Sequence, residues 1–294
     1  MPDARFSITS SRLSATIDPL GAELWSLTDA QGRELMTDAD PRWWTGHAPL
    51  LFPFVGRSRG DIYRLDGRDY PMPQHGFARR RPFLPVQQTS DSLTLRLEAD
   101  DESRAAYPFD FRLDMDFTLN DATLAMTATV TNRGETPMPF SFGYHPAFAW
   151  PLPYGGAAAD HRIIFEQPEP APIRKVGEEP GLIATEPAPS PVEGDMLAPT
   201  HAMFEGDALI WDSLNSRSLT WGVPGQPHLK INFPDTPWLG LWQKPGAHYL
   251  CVEPWAGMAD LVGFTGDVWA KQGIMTLLPG DARSFRMDVT LVSP

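Results

Sequence analysis

Three stretches of the chain set titratable side chains among aromatic, proline and glycine residues, a mixture suited to proton transfer in a partly dry site. Phe140–Leu152, FSFGYHPAFAWPL, carries His145. Tyr249–Asp260, YLCVEPWAGMAD, carries Glu253 between an apolar run and Pro254. Trp43–Arg81 carries His47, Arg57 and His75, the last between the turn residues Pro73 and Gly76. An imidazole and a carboxylate together supply an acid and a base. Burial lowers a histidine pKa and a nearby carboxylate raises it, so such a proton can be poised near neutrality. Each residue also has a plainer reading. His47 reads as a half-buried structural residue, Arg57 as half of an ion pair, and His75 as a loop hydrogen bond. Glu253 reads equally as the partner of some arginine. For His145 a satisfied core histidine and a functional one stand even.

The elements that must position these groups are strands. Apolar residues alternate with polar ones in Arg12–Ile17, Leu93–Glu98, Phe111–Leu119, Thr123–Thr131 and Ser284–Val292. That period of two gives each strand one face for a core. Asn120-Asp121 falls between two of them and predicts a hairpin turn. The 31 prolines are scattered too widely for a long amphipathic helix, leaving one short turn at Asp100–Ala106. The pattern predicts an all-β, single-domain chain, a sandwich of antiparallel sheets over residues 1–294. Residues 167–200 are rich in Pro, Glu and Ala and predict a long extended loop over the surface. Strand-like sequence resumes at Ala208–Trp211.

Composition excludes several classes. Apolar residues make up 42%, enough for a sizeable core. A net charge of −13 repels a phosphate backbone, so no nucleic-acid partner is expected. The single Cys251 forms no intramolecular disulfide, which fits a reducing compartment. The opening MPDARFSITS has no signal pattern and no stretch has the length of a membrane span, so a cytoplasmic protein without a membrane partner is expected. There is no G-x-S-x-G, no H-E-x-x-H, no Cys/His zinc spacing and no glycine-rich nucleotide loop. His161, His201, His228 and His248 sit in no ligand spacing and read as structural or surface residues. No metal or cofactor is expected.

Taken in order, GAELWSL near residue 21, HAPLLFPFVGR at 47–57, YPMPQHGFAR at 70–79, FGYHPAF at 142–148 and CVEPWAGMAD with LVGF at 251–264 resemble the aldose 1-epimerase (galactose mutarotase-like) family. More narrowly they resemble its bacterial lactose-operon-type branch. The ordered set is far more specific than any one motif and spans the chain from about residue 20 to its end. The resemblance implies a β-supersandwich and an isomerase that interconverts the α and β anomers of a free aldose. It implies His145 as general acid and Glu253 as general base, with Arg57 and His75 binding the sugar. The family's sugar-binding aspartate falls at Asp207, with Asp212 as the other position. The only partner implied is a small sugar, bound by a monomer or homodimer.

Departures from the family pattern matter. QHGFARRRPF differs from the run of the galactose-specific enzymes, which leaves the aldose open. Arg79-Arg80-Arg81 reads as a solvated loop, or as a phosphate contact like that of related hexose-6-phosphate epimerases. A non-catalytic sugar-binding or regulatory protein on the same scaffold is the remaining alternative, since a fold does not fix a function.

Overall fold

The computed structural model describes residues 5–293, so residues 1–4 of the opening segment lie outside the described residues. The all-β expectation holds: the described residues form 22 strands and one α-helix, with every pairing between named strands antiparallel. The helix, Asp101–Ala106, is the short turn expected, and Asp100 and Ser103 cap it reciprocally. No helix among the described residues is long and apolar enough to cross a membrane.

Two sheets dominate. The larger has nine strands, and its central members are Ala282–Val292, Thr123–Asn132, Phe111–Asn120 and Ser92–Glu98. Their alternation is the one read from sequence: Leu93, Leu95, Leu113, Met115, Leu124, Met126, Phe285 and Met287 are all buried on one face. Asn120 pairs with Thr123, which makes Asp121-Ala122 the tight turn of this hairpin. Asp121 has φ 49°, a conformation an aspartate tolerates better than most residues.

The second sheet runs Leu209–Trp211, Trp238–Trp242, Tyr249–Ala256, Phe142–Tyr144, Leu50–Leu51, and Ala147–Ala149 also pairs with Tyr249–Ala256. It lies face to face with the first. The Phe142 and Phe285 rings stack 5.0 Å apart, and the Tyr144 hydroxyl, buried between the sheets, donates to the Phe285 carbonyl. Because side chains alternate, Leu250, Val252, Leu239 and Leu241 enter the shared core. Cys251, Glu253, Trp255, Gly240 and Trp242 therefore point the other way, to the far face of the second sheet.

Residues 167–200 are more than a surface loop. The segment carries the edge strand Met196–Leu197 and isolated bridges at Ile173, Arg174, Val176 and Ile183. Ile173, Leu182, Ile183 and Leu197 are buried. Its few large apolar residues are the ones that fix its path.

Candidate active site

His145 and Glu253 meet because of strand register. Gly143 pairs with Trp255, and Ala147 pairs with Cys251. The same register carried through the interruption at Pro146 puts position 145 opposite 253, on the face turned away from the core. His145 Nε2 lies 3.2 Å from a Glu253 carboxylate oxygen, with both side chains nearly fully buried. Trp44 and Trp242 flank the imidazole at ring distances of 5.1 and 5.8 Å.

The His75 loop is anchored by backbone. Its N–H donates to the Gly56 carbonyl at 2.7 Å, and the Gly56 N–H donates back to His75 Nδ1 at 3.1 Å. A ring nitrogen that accepts an amide proton carries none of its own. His75 is therefore the neutral tautomer with hydrogen on Nε2. The next residue, Gly76, has φ 71° and bridges to Phe52 so closely that a Cβ would lie 2.1 Å from the Phe52 carbonyl oxygen. The His75 and His145 rings meet edge to face at 5.6 Å.

These groups line an open pocket of about 380 Å³, with Asp207, Arg79, Lys244, Trp44, Trp242 and Trp255 on its walls. Asp207 is held at φ 76° just before the strand Leu209–Trp211. Val176, Gly181 and Ile183 bring the 167–200 segment to the rim. Asp212, the other aspartate considered, is away from the pocket and pairs with Arg174 at 2.9 Å.

Arg57 is not brought together with the others. Its guanidinium is taken up by Asp61 at 2.7 Å and by the Pro180 carbonyl, the ion pair that its plainer reading predicts. The arginine on the pocket wall is Arg79, the first of the run whose sequence reads as a solvated loop or a phosphate contact. One of its terminal nitrogens donates to the Gln74 carbonyl at 3.0 Å, and its Nε is buried with no partner among the described residues. Arg80 is exposed and Arg81 is paired with Asp100 and Glu102. The missed signal was spacing: Arg79 stands four residues after His75, on the short turn that returns from it.

Electrostatics favour neutral forms. Burial pushes the His145 imidazole down to about 3. Burial raises the Glu253 carboxyl well above the carboxylate range, Asp207 adds to the rise, and the Trp255 indole opposes it. His75 is lowered by burial, then by the charges of His145, Arg79 and Arg80. The reading from sequence, in which a carboxylate lifts His145, is reversed here: desolvation dominates, the Arg79 charge adds to it, and only a backbone hydrogen bond opposes them.

The fold and pocket can now be set beside known proteins. The profile of the aldose 1-epimerase family matches residues 4–186. The chromosomal LacX protein of Lactococcus lactis subsp. lactis is 31% identical over 96% of this chain and 97% of its own length. A galactose mutarotase-like protein from Lactobacillus casei superposes with a TM-score of 0.90 at 31% identity, covering 98% of this chain and all of that one. A galactose mutarotase related enzyme from Lactobacillus acidophilus gives 0.88 at 29% identity, over 99% and 98% of the two chains. The chain belongs to the aldose 1-epimerase family and has the galactose mutarotase-like fold.

Proposed function

We propose that this chain is an aldose 1-epimerase, opening and reclosing a free aldose at the pocket floor. The observation that carries this reading is the 3.2 Å approach of His145 Nε2 to the Glu253 carboxylate at the floor of an open pocket. A cyclic aldose is a hemiacetal. Opening it removes a proton from the anomeric hydroxyl and delivers one to the ring oxygen, so one group must hold a proton while its partner lacks it. Glu253 serves as base and His145 as acid once the pair's proton has moved onto the imidazole. Rotation about C1–C2 then exposes the other carbonyl face, and the same two groups act in reverse. The sugar enters between them. His75 donates from Nε2, Arg79 donates to hydroxyls, Asp207 accepts from them, and the indoles cover the apolar sugar face.

Each acid or base contributes about 10²–10⁴-fold, so two suffice for a reaction that already runs in water. Glu253→Gln is expected to keep the fold and sugar binding while losing about 10²-fold or more in rate. Polarimetry on freshly dissolved α-glucose and α-galactose reads the rate, and tryptophan fluorescence reads binding. A wild-type rate in this variant removes Glu253 from the mechanism, while binding with no acceleration even by wild type supports the non-catalytic alternative. The second reading, a hexose-6-phosphate epimerase, draws on Arg79 and Lys244 in the same pocket. Preference for glucose 6-phosphate over glucose in the same assay selects it.

A further inference from the structure

Cys251 has no part in the chemistry above, yet it stands beside it. It lies two residues before Glu253 on Tyr249–Ala256, so both side chains leave the same face of the strand. The thiol sulfur, a His145 ring nitrogen and a Glu253 oxygen all lie within 4.8 Å of one another, and all three residues are buried. We propose that His145, Cys251 and Glu253 form a binding site for a thiophilic divalent cation, zinc in the first instance, that excludes sugar turnover.

The donor set is the one zinc prefers: thiolate, imidazole and carboxylate. Bonds of about 2.0 Å to nitrogen and oxygen set tetrahedral edges of about 3.3 Å. The His145–Glu253 edge is already 3.2 Å. The sulfur edges, no longer than 4.8 Å, must close to about 3.5 Å around a tetrahedral ion. Charge also balances. A lone thiolate or carboxylate is costly at this depth, but one of each with a doubly positive ion and a neutral imidazole sums to zero. Burial already holds His145 neutral, the form that ligates. Binding releases the thiol proton and the proton shared by His145 and Glu253 to solvent, so affinity rises with pH. His145 and Glu253 face the pocket, which leaves the fourth position to water or a sugar hydroxyl. Magnesium and calcium, which take oxygen ligands, are not accommodated.

The binding claim stands on geometry alone; the inhibition claim rests on the acid/base reading above. The full-length protein is stripped with EDTA and titrated with Co²⁺, then with Zn²⁺ in competition. The expected result is a thiolate-to-cobalt charge-transfer band with tetrahedral visible bands, displaced by zinc. Zinc should also suppress mutarotation, and EDTA should restore it. Losing even an outer-shell partner weakens a metal by about 10–100-fold, so Cys251→Ala should cost about 100-fold or more in zinc affinity and remove the charge-transfer band. The metal-free variant should turn over normally. No charge-transfer band in wild type, or zinc bound equally well by Cys251→Ala, overturns the proposal whatever the enzyme does. A band with no mutarotation by the stripped protein supports the metal site and removes the catalytic reading instead.

Discussion

His145 and Glu253 are each driven toward the uncharged form, and together they hold one proton. An unperturbed pair would hold a single proton only between 4.5 and 6.5, the ordinary values of the two groups. Here the window opens near 3, where His145 takes a second proton, and closes where the raised Glu253 gives up its own. The rate against pH should therefore stay level through pH 4.5, where an ordinary pair would gain its second proton, and decline only where the raised Glu253 carboxyl gives up its proton. NMR exchange rates between anomers measure this, and a loss of rate on acidification through pH 4.5 would contradict it. The same shift has a cost in stability. Folded Glu253 keeps a proton that the unfolded chain releases above 4.5, so stability falls as pH rises from there toward the folded value. Glu253→Gln should be more stable than wild type by about 1–2 kcal/mol at pH 7–8, the usual gain on relieving a strained functional group, and equal to it below 4.5. Calorimetry across that range tests the crossover. The two arginines divide just as sharply. Arg79→Ala should raise KM by about 10–100-fold, the worth of a charged hydrogen bond in a dry pocket. Arg57→Ala should change it by less than about threefold, since an exposed ion pair to Asp61 contributes about 0–1 kcal/mol. Saturation curves of both variants decide which arginine meets the sugar.

At the scale of elements, the site depends on one register and one bend. The register sets 145 against 253; the bend at Gly76 presses backbone to backbone so that His75 turns its Nε2 to the pocket. Gly76→Ala would place a methyl 2.1 Å from the Phe52 carbonyl in a conformation that favours glycine. It should destabilise the fold by about 1–3 kcal/mol and raise KM more than it lowers kcat, because His75 shifts while the His145–Glu253 pair stays. Urea melts and steady-state kinetics read the two effects separately. Much of this level was legible in the sequence. Strands such as Phe111–Asn120 announce themselves, because a two-residue period has only one meaning over ten residues. The ordered motifs located His145, Glu253 and His75. What was not legible needs contacts across long separations. Nothing local in FGYHPAF says that it lies against YLCVEPWA about a hundred residues later. Arg57 looked like a site residue from the run before it, yet its side chain is captured by Asp61 four residues on. Arg79 looked solvated among three arginines, but the turn aims it inward. Residues 167–200 looked like surface because apolar residues are sparse there, though Ile183 and Val176 reach the pocket rim.

Over the whole molecule, the fold keeps several histidines neutral, and that sets its behaviour in acid. His47 stacks on Trp25 at 3.8 Å with neither ring nitrogen partnered among the described residues. Burial, with the Arg5 charge beside it, lowers His47 to about 4, against smaller upward pulls from the Trp25 backbone and from Asp18. His161 accepts the Leu152 N–H at Nε2, and His75 accepts the Gly56 N–H at Nδ1, so protonating either ring breaks a backbone hydrogen bond. His145 lies near 3, and burial holds His75 well below its ordinary value too. Each of these has a folded pKa below its unfolded value. Their contribution is intact above 6.5 and is lost as pH falls from 6.5 toward the folded values, because the unfolded chain binds protons that the folded chain refuses. The protein should thus lose stability steadily between pH 6.5 and about 4, well before its surface carboxylates are neutralised. His47 offers the cleanest dissection, since it lies outside the pocket and bonds to nothing through its ring. His47→Phe keeps the aromatic stack on Trp25 and deletes two buried polar atoms. It should match or exceed wild-type stability at pH 7 and show a shallower fall in urea midpoint down to pH 4.5. A slope identical to wild type would mean that His47 is protonated in the folded state and that the acid sensitivity resides in the other three rings.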